Sequence, residues 1–353
     1  MGDRARGEAD AGIPLGFWGA LHRPFSVLAP MEDVTDTVFR RVVREAGAPD
    51  VFFTEFTSTD GLCSAGRPRV IARLRFTPEE RPLVAQIWGM KPELYRRVAS
   101  ELREMGFDGL DINMGCPVRK IVSRGACGAL VRTPSLAAEL IAAAKEGAGD
   151  MPVSVKTRIG FAYSQVDEWL GFLLEQRIAA LTVHGRTVAQ QSNGQADWGA
   201  VALAVRIRSS LGVATLVIGN GDVRTPAEFI AAAGTSGADG VMIGRGVFEN
   251  LFVFRAVRST LAGRPDPEAD FARLPPARKA SYFRRHLALY QETWGERSRI
   301  DSVKKFAKTY LRAFEDSHRL VDAVLHARSY DEALGELDRW EASGATVHGA
   351  RES

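Results

Sequence analysis

Gly109-Leu110-Asp111-Ile112-Asn113-Met114-Gly115-Cys116-Pro117 reads as a short strand that ends on a polar turn carrying a thiol. The run is too short for a helix and lacks clean alternation, as in strands buried on both faces of a parallel sheet. Free cysteine is among the most buried residue types and often acts as a small hydrophobe. Cys116 is therefore open to a packing reading as well as a chemical one. Seven runs of similar character accompany it: Phe25–Ala29, Val51–Glu55, Leu83–Ile87, Val153–Thr157, Ala180–His184, Thr215–Gly219 and Gly240–Ile243.

Amphipathic helical stretches lie between these runs. Val38, Phe39, Val42, Val43 and Ala46 form one apolar stripe, stopped by Gly47. Leu94, Val98, Leu102 and Met105 form another, between Pro92 and Gly106. Thr133-Pro134 and Thr225-Pro226 both read as helix starts, a threonine cap followed by proline at the first helical position. Trp169, Leu170, Leu173 and Leu174 mark the helix after the fifth run. Eight such strand–helix units over roughly 240 residues predict an α/β fold, a (β/α)8 TIM barrel. The rival is an open doubly wound sheet, disfavoured by the count and by the lack of G-x-G-x-x-G after the first run. From about Gly263 onward no strand is expected. Pro265, Pro267, Pro275 and Pro276 mark a linker to a small C-terminal helical domain. The expected division is a disordered extension (1–16), a barrel (17–262), a helical domain (263–342) and a tail (343–353).

The bulk composition is that of a globular protein: 353 residues, 45% hydrophobic and 25% charged. No apolar stretch has the length of a membrane span, and the polar start argues against a signal peptide. Only three cysteines, Cys63, Cys116 and Cys127, argue for a reducing compartment, so a cytoplasmic location is expected. Neither their spacing nor the histidines resemble a metal site, and no metal is expected.

In a barrel the chemistry gathers at the C-terminal ends of the strands. Those ends carry Pro30-Met31, Glu55, Gln86, Asn113 with Cys116, Lys156 with Arg158, His184 with Arg186, Asn220-Gly221-Asp222 and Gly244-Arg245-Gly246. The glycine turns after the last two strands let backbone amides approach an anion, and Arg245 stands beside the second, which points to a phosphorylated ligand. Each turn could also need glycine only for a positive φ. Lys156 and Arg158, two apart on a strand, emerge on one face. Burying both without anionic or carbonyl partners would be costly, so they are expected to line the mouth. His184 is open to a structural as well as a functional reading, and Glu55 to a role as base or as ion-pair partner.

These landmarks in this order resemble the tRNA-dihydrouridine synthases. The resemblance runs from Phe17-Trp18 to about the end of the helical domain. It rests on Leu28-Ala29-Pro30-Met31, Thr54-Glu55-Phe56, Ala85-Gln86-Ile87, Asp111 to Pro117, Val155-Lys156-Thr157-Arg158, Val183 to Thr187, Gly219 to Asp222 and Ile243 to Gly246. It implies reduction of tRNA uridine to 5,6-dihydrouridine by FMN, with NADPH as reductant. Pro30, Met31, Gln86, Lys156 and His184 would then hold the flavin and ribityl chain, and Asn220, Gly221, Asp222, Gly244 and Arg245 the phosphate. Asn113, Arg158 and Arg186 would contact the substrate. Hydride would pass from flavin N5 to uracil C6 and a proton from Cys116 to C5, a thiol of ordinary pKa being protonated at neutral pH. Cys127 departs from the family pattern, and no role is transferred to it.

The segment Arg278–Arg312 holds ten basic residues, Arg278, Lys279, Arg284, Arg285, Arg297, Arg299, Lys304, Lys305, Lys308 and Arg312, against three acids, while the whole chain carries only +3. With Tyr282, Tyr290, Trp294 and Tyr310 interleaved, it reads as a surface for the phosphate backbone of a tRNA. A monomer is expected, since the tRNA must reach both domains. The competing readings are another FMN barrel acting on a small molecule, and a tRNA-binding barrel without catalysis.

Overall fold

The computed structural model describes residues 13–295, 300–312, 314 and 316–343. Eight strands, β1 (Phe25–Leu28), β2 (Phe52–Ser58), β3 (Leu83–Trp88), β4 (Gly109–Met114), β5 (Val153–Arg158), β6 (Ala180–His184), β7 (Leu216–Asn220) and β8 (Gly240–Ile243), form one parallel sheet. Its order is β1-β8-β7-β6-β5-β4-β3-β2. A parallel bridge between Val27 and Val51 joins the two ends, and Leu28 N–H donates to Val51 O at 3.0 Å. The sheet thus closes on itself, and the expected barrel is the observed fold. Every strand predicted from the sequence is present, two with unchanged ends and the others with ends moved by at most three residues.

Side chains of a strand alternate between faces, and the inward rows here change character along the barrel axis. The lower rows are apolar: Phe25, Val27, Val51, Phe53, Val84, Ala180, Leu216, Ile218 and Met242 make a buried cluster, together with Trp18 from the turn Gly16–Ala20. Trp18 lies 5.8 Å from Phe25 and 6.4 Å from Phe53, centroid to centroid. Gly240 stands in register with Phe25, and a Cβ there would fall 2.3 Å from the Phe25 ring. The last inward positions of β3 to β7 are polar instead: Gln86, Asp111, Asn113, Ser154, Lys156, Arg158, Thr182, His184 and Asn220. An apolar floor therefore carries a polar mouth.

The helix Pro226–Ser236 starts with the expected cap, Thr225 accepting from Glu228 N–H while the Glu228 carboxylate accepts from Thr225 N–H. The helix Pro134–Ala148 does not: Thr133 makes no side-chain cap bond. After β5 the chain runs through a π-helical turn, Val166–Leu170, into Gly171–Glu175, and the Trp169 indole donates to Thr157 Oγ1 at 2.9 Å.

The described residues fall into two compact units. One runs to Thr37 and from Pro49 to Gly244; the other comprises Val38–Ala48 and the chain from Arg245 onward. Among the described residues the second unit has no strand, and no described helix is long and apolar enough to cross a membrane. In its core the rings of Phe39, Phe248, His286, Phe306 and Tyr310 pack together. His286 Nδ1 lies 3.0 Å from the Tyr310 hydroxyl, while Nε2 is buried and has no hydrogen-bond partner among the described residues. Burial pushes the His286 pKa down to about 3, so the ring is neutral.

Candidate active site

Cys116 follows β4 on a turn whose geometry is set by one side chain. The Asn113 carbonyl oxygen accepts the N–H groups of Gly115 at 3.1 Å and Cys116 at 3.0 Å. The Asn113 amide donates to Gln86 Oε1 at 3.0 Å, and Gln86 Nε2 donates to Asp111 Oδ2 at 2.7 Å. Ser154 Oγ completes the chain, donating to Asp111 Oδ1 at 2.6 Å. An ionised carboxylate only accepts, so Asp111 fixes which end of Gln86 faces it. Gln86 in turn fixes Asn113, and Asn113 fixes the turn. Burial raises the Asp111 pKa to about 6 against the hydrogen bonds from Ser154 and Gln86. Asp111 and Ser154 were not among the expected site residues. The signal for them was parity: each sits two positions before a recognised one, on the same face.

Two further contacts hold the thiol loop. Gly128 N–H donates to Cys116 O at 3.2 Å, and Arg158 Nε donates to Gly115 O at 2.8 Å. The same guanidinium donates to Thr187 O at 3.0 Å and Gln191 O at 2.6 Å. Arg158 thus clamps the loops after β4 and β6, and burial lowers its pKa to about 10. The Cys116 thiol is pushed up from its ordinary value by burial, the nearby Arg158 charge opposing this only in part. The thiol is therefore protonated at neutral pH. Cys127 is fully buried at φ 52°, and burial raises its pKa far more. Lys156 donates to Asn220 Oδ1 at 3.0 Å. Burial, with the neighbouring Arg158 charge, lowers its pKa to about 8. Glu55 accepts from Asp33 N–H at 2.7 Å, and burial with Asp36 nearby raises it to about 7.

On the far side of the mouth, Arg186 is 2% exposed and is used internally. It donates to both Asp222 carboxylate oxygens at 2.7 Å, to Gly194 O at 2.6 Å and to Asn193 O at 3.2 Å, and its Nη1 lies 3.2 Å from His184 Nε2. Asp222 also accepts from Ala196 N–H at 2.7 Å. The expectation that Arg186 faces a substrate meets a different geometry: the residue pins the turn after β7 to the loop after β6. That turn needs its glycine, since Gly221 has φ 131° and a Cβ there would lie 2.5 Å from Ala196 Cβ. Gly244 differs. It has no positive φ, and the nearest atoms to an added Cβ are Ala29 Cβ at 3.6 Å and Met31 Sδ at 3.9 Å. The protein itself does not require glycine there, so the cleared space suits a ligand. Pro30 and Met31 are half-buried at a turn closed by Met31 N–H donating to Thr35 Oγ1 at 2.9 Å. Arg245 opens the second unit as the residue before the helix Gly246–Glu249.

This donor set fits a ligand with an electron-rich ring and an anionic end, as FMN has. An ammonium has three donors, and Asn220 is the one acceptor of Lys156 found among the described residues. Thr182 Oγ1, in register with Lys156, is buried and finds no hydrogen-bond partner among the described residues. The turn Asn220–Asp222 and Gly244 provide a glycine-lined edge.

The basic segment expected to meet RNA is largely committed within the second unit. Lys279 is buried and donates to Ala272 O at 2.8 Å. Arg284 pairs with Asp338 at 2.7 Å, Arg285 with Glu45 at 2.7 Å and Lys304 with Asp301 at 2.8 Å. Arg312 donates to Phe248 O at 2.7 Å, and Lys305 stands over the Phe306 ring at 5.3 Å. Tyr310 is buried against His286. Arg278 and Lys308 remain exposed, while Arg297 and Arg299 lie outside the described residues.

Residues 27–343 match the family described as dihydrouridine synthase (Dus). The chain is 43% identical over 330 residues to the "Probable tRNA-dihydrouridine synthase 2" of Bacillus subtilis (strain 168), which covers 92% of this chain and 96% of that protein. It is 41% identical over 331 residues to the "Probable tRNA-dihydrouridine synthase" of Staphylococcus aureus (strain COL), again with 92% and 96% covered. Among solved structures, a 2-naphthoyl-CoA reductase in complex with 2-naphthoyl-CoA gives a TM-score of 0.50 at 9% identity, over 68% of this chain and 50% of that one. That likeness is one of fold.

Proposed function

The chain belongs to the dihydrouridine synthase family, and from this we propose that it reduces uridine in tRNA to 5,6-dihydrouridine with FMN as cofactor and NADPH as reductant. The observation that carries the reading is the Cys116 turn: a protonated thiol held at the barrel mouth by Asn113, beside the buried Arg158 and the half-buried Lys156. Bound FMN would supply the hydride that reduces the pyrimidine ring.

The protein's own part is to hold that ligand and to provide the proton. Lys156 offers its free donors to the electron-rich edge of the flavin, with Gln86, His184, Pro30 and Met31 around it. Asn220, Gly221, Asp222 and Gly244 present backbone to the phosphate, with Arg245 following. Cys116 Sγ holds the proton destined for C5 of the uracil, and the raised pKa keeps it there until the ring can accept it. Asn113 shapes the turn and would contact the uracil as well. Arg158 acts as a positioning residue whose charge lies beside the thiol, its Nε and Nη1 donating to three carbonyls, and its Nη2 would contact the substrate. Arg186 likewise positions the phosphate turn. The barrel would serve as the catalytic domain and the helical second unit as a tRNA-binding one.

The test is dihydrouridine formation on tRNA lacking the modification, by the FMN-loaded full chain with NADPH. Cys116→Ala is expected to retain FMN and tRNA binding and to lose at least about 100-fold in rate, the scale of a missing general acid. A wild-type protein that binds no FMN and forms no dihydrouridine overturns the function. Full activity in Cys116→Ala overturns the role of the thiol.

A further inference from the structure

The loop that carries Cys116 continues as a positively charged platform. From Ile112 to Ala138 the sequence has Arg119, Lys120, Arg124 and Arg132 and no acid. Arg132 is placed over the Phe161 ring at 4.1 Å. The other three are exposed, on the short helix Arg119–Val122 and the turn after it, and their side chains have no ion pair or hydrogen bond among the described residues. Neighbouring mouth loops treat their cations differently. Arg73 pairs with Glu32 at 2.5 Å, Lys91 with Asp60 at 2.9 Å and Arg186 with Asp222 at 2.7 Å.

The platform is also well tied down. Ile121 and Val122 N–H both donate to Val118 O at 2.9 Å, Ser123 N–H to Arg119 O at 2.8 Å and Arg124 N–H to Ile121 O at 3.1 Å. Gly125 turns the chain at φ 85°, where a Cβ would lie 2.9 Å from Met90 Cε. Behind it, the Gly128 and Arg158 contacts fix the Cys116 end. Val118, 50% exposed, is the apolar residue between the thiol loop and the cations. Three like charges without counter-charges repel one another, and a polyanion laid across them relieves that repulsion while releasing its own counterions.

We propose that Arg119, Lys120 and Arg124 bind the phosphates of the RNA strand flanking the uridine presented to Cys116. This rests on the dihydrouridine synthase reading and adds to it a contact surface on the barrel itself, on the same loop as the thiol. The partner proposed is RNA rather than the phosphates of NADPH, because three exposed cations spread along one loop suit the repeating charges of a strand.

The experiment compares wild type with Arg119→Gln/Lys120→Gln/Arg124→Gln, both as FMN-loaded full chains, on tRNA lacking dihydrouridine. Single Lys120→Gln and Arg124→Gln variants cover the case in which the triple variant does not fold. The expected result is a rise in KM for tRNA of about 10-fold or more in the triple variant, with kcat changed far less. The slope of log binding against log salt should fall by about 1 for each contact removed. Unchanged KM for tRNA and unchanged salt slope overturn the platform. So does a rise in KM for NADPH alone, or a loss confined to kcat. Each of these leaves the functional reading standing as long as wild type makes dihydrouridine; a wild type that makes none overturns that reading instead.

Discussion

Asp111→Asn changes one atom of the chain that orients Cys116, and its effect follows from which groups can reverse. At neutral pH Asp111 is buried with a pKa of about 6 against an ordinary value of 3.8. A folded pKa above the unfolded one means that stability is fully present below the unfolded value and is lost as pH rises through the folded value. At 1.36 kcal/mol per pKa unit, ionisation costs the fold about 3 kcal/mol at pH 7.5 and about half that at pH 5. Asparagine removes this cost. It also keeps the hydrogen bonds, because Ser154 can reverse: Oγ can accept from the new amide and donate to Leu110 O, which already lies 3.3 Å away. Gln86 and Asn113 then keep their orientation, and the Cys116 turn is unchanged. Urea unfolding should therefore find Asp111→Asn at least as stable as wild type at pH 7.5, with the advantage shrinking as pH falls. Dihydrouridine formation should stay within a few-fold. Asp111→Leu leaves the Gln86 amide without an acceptor and loses on the order of 1–3 kcal/mol through that group. If Asp111→Asn is strongly destabilised at pH 7.5 by an amount that does not vary with pH, the assigned polarity of the chain is wrong.

His286 sets a second pH dependence, of opposite direction. Its folded pKa of about 3 lies below the ordinary 6.5, so the unfolded chain takes up a proton that the fold excludes, and stability falls as pH drops from about 6.5 toward 3. By pH 5 this amounts to about 2 kcal/mol. His286→Phe should show a smaller loss of urea midpoint between pH 7 and pH 5 than wild type; equal losses would refute the assignment. The two mouth glycines should separate. Gly221→Ala meets both its φ of 131° and Ala196 Cβ at 2.5 Å, so it should lower stability by about 1–3 kcal/mol and weaken FMN retention. Gly244→Ala meets nothing closer than 3.6 Å, so it should leave stability unchanged and still weaken FMN retention. A Gly244→Ala protein that keeps FMN as wild type does would remove that residue from the cofactor site.

The barrel was legible because its strands announce themselves twice, by β-branched apolar runs and by the helical stripes between them. The closing bridge from Val27 to Val51 was not, since it depends on register rather than on composition. The residues of the mouth were legible by position at strand ends, yet their engagements were not. Arg158 and Arg186 look like ligand-facing cations along the chain; in space Arg186 is bound to Asp222 and two backbone carbonyls, while Arg158 gives its Nε and Nη1 to three carbonyls. Thr133 and Thr225 precede the same Pro and give the same cap signal, but only Thr225 has a glutamate three residues on to close a capping box.

Charge was the least legible property, for a general reason. A sequence shows how many charges a segment has, whereas binding depends on how many lack partners once the chain is folded. The run from Arg278 to Arg312 is dense enough to draw attention, but Arg284, Arg285 and Lys304 find carboxylates, and Lys279 and Arg312 find carbonyls. The sparser set Arg119, Lys120 and Arg124 finds none of these among the described residues and shares a loop with Cys116. The acids that pair with Arg284 and Arg285 lie far away in sequence, at Glu45, Asp338 and Glu341. A count over a window cannot include them. The second set has no acid within its own segment, and no ion pair forms with it among the described residues. Under the proposal above, unpaired charge beside the thiol, rather than charge density along the chain, marks where the polyanion would lie.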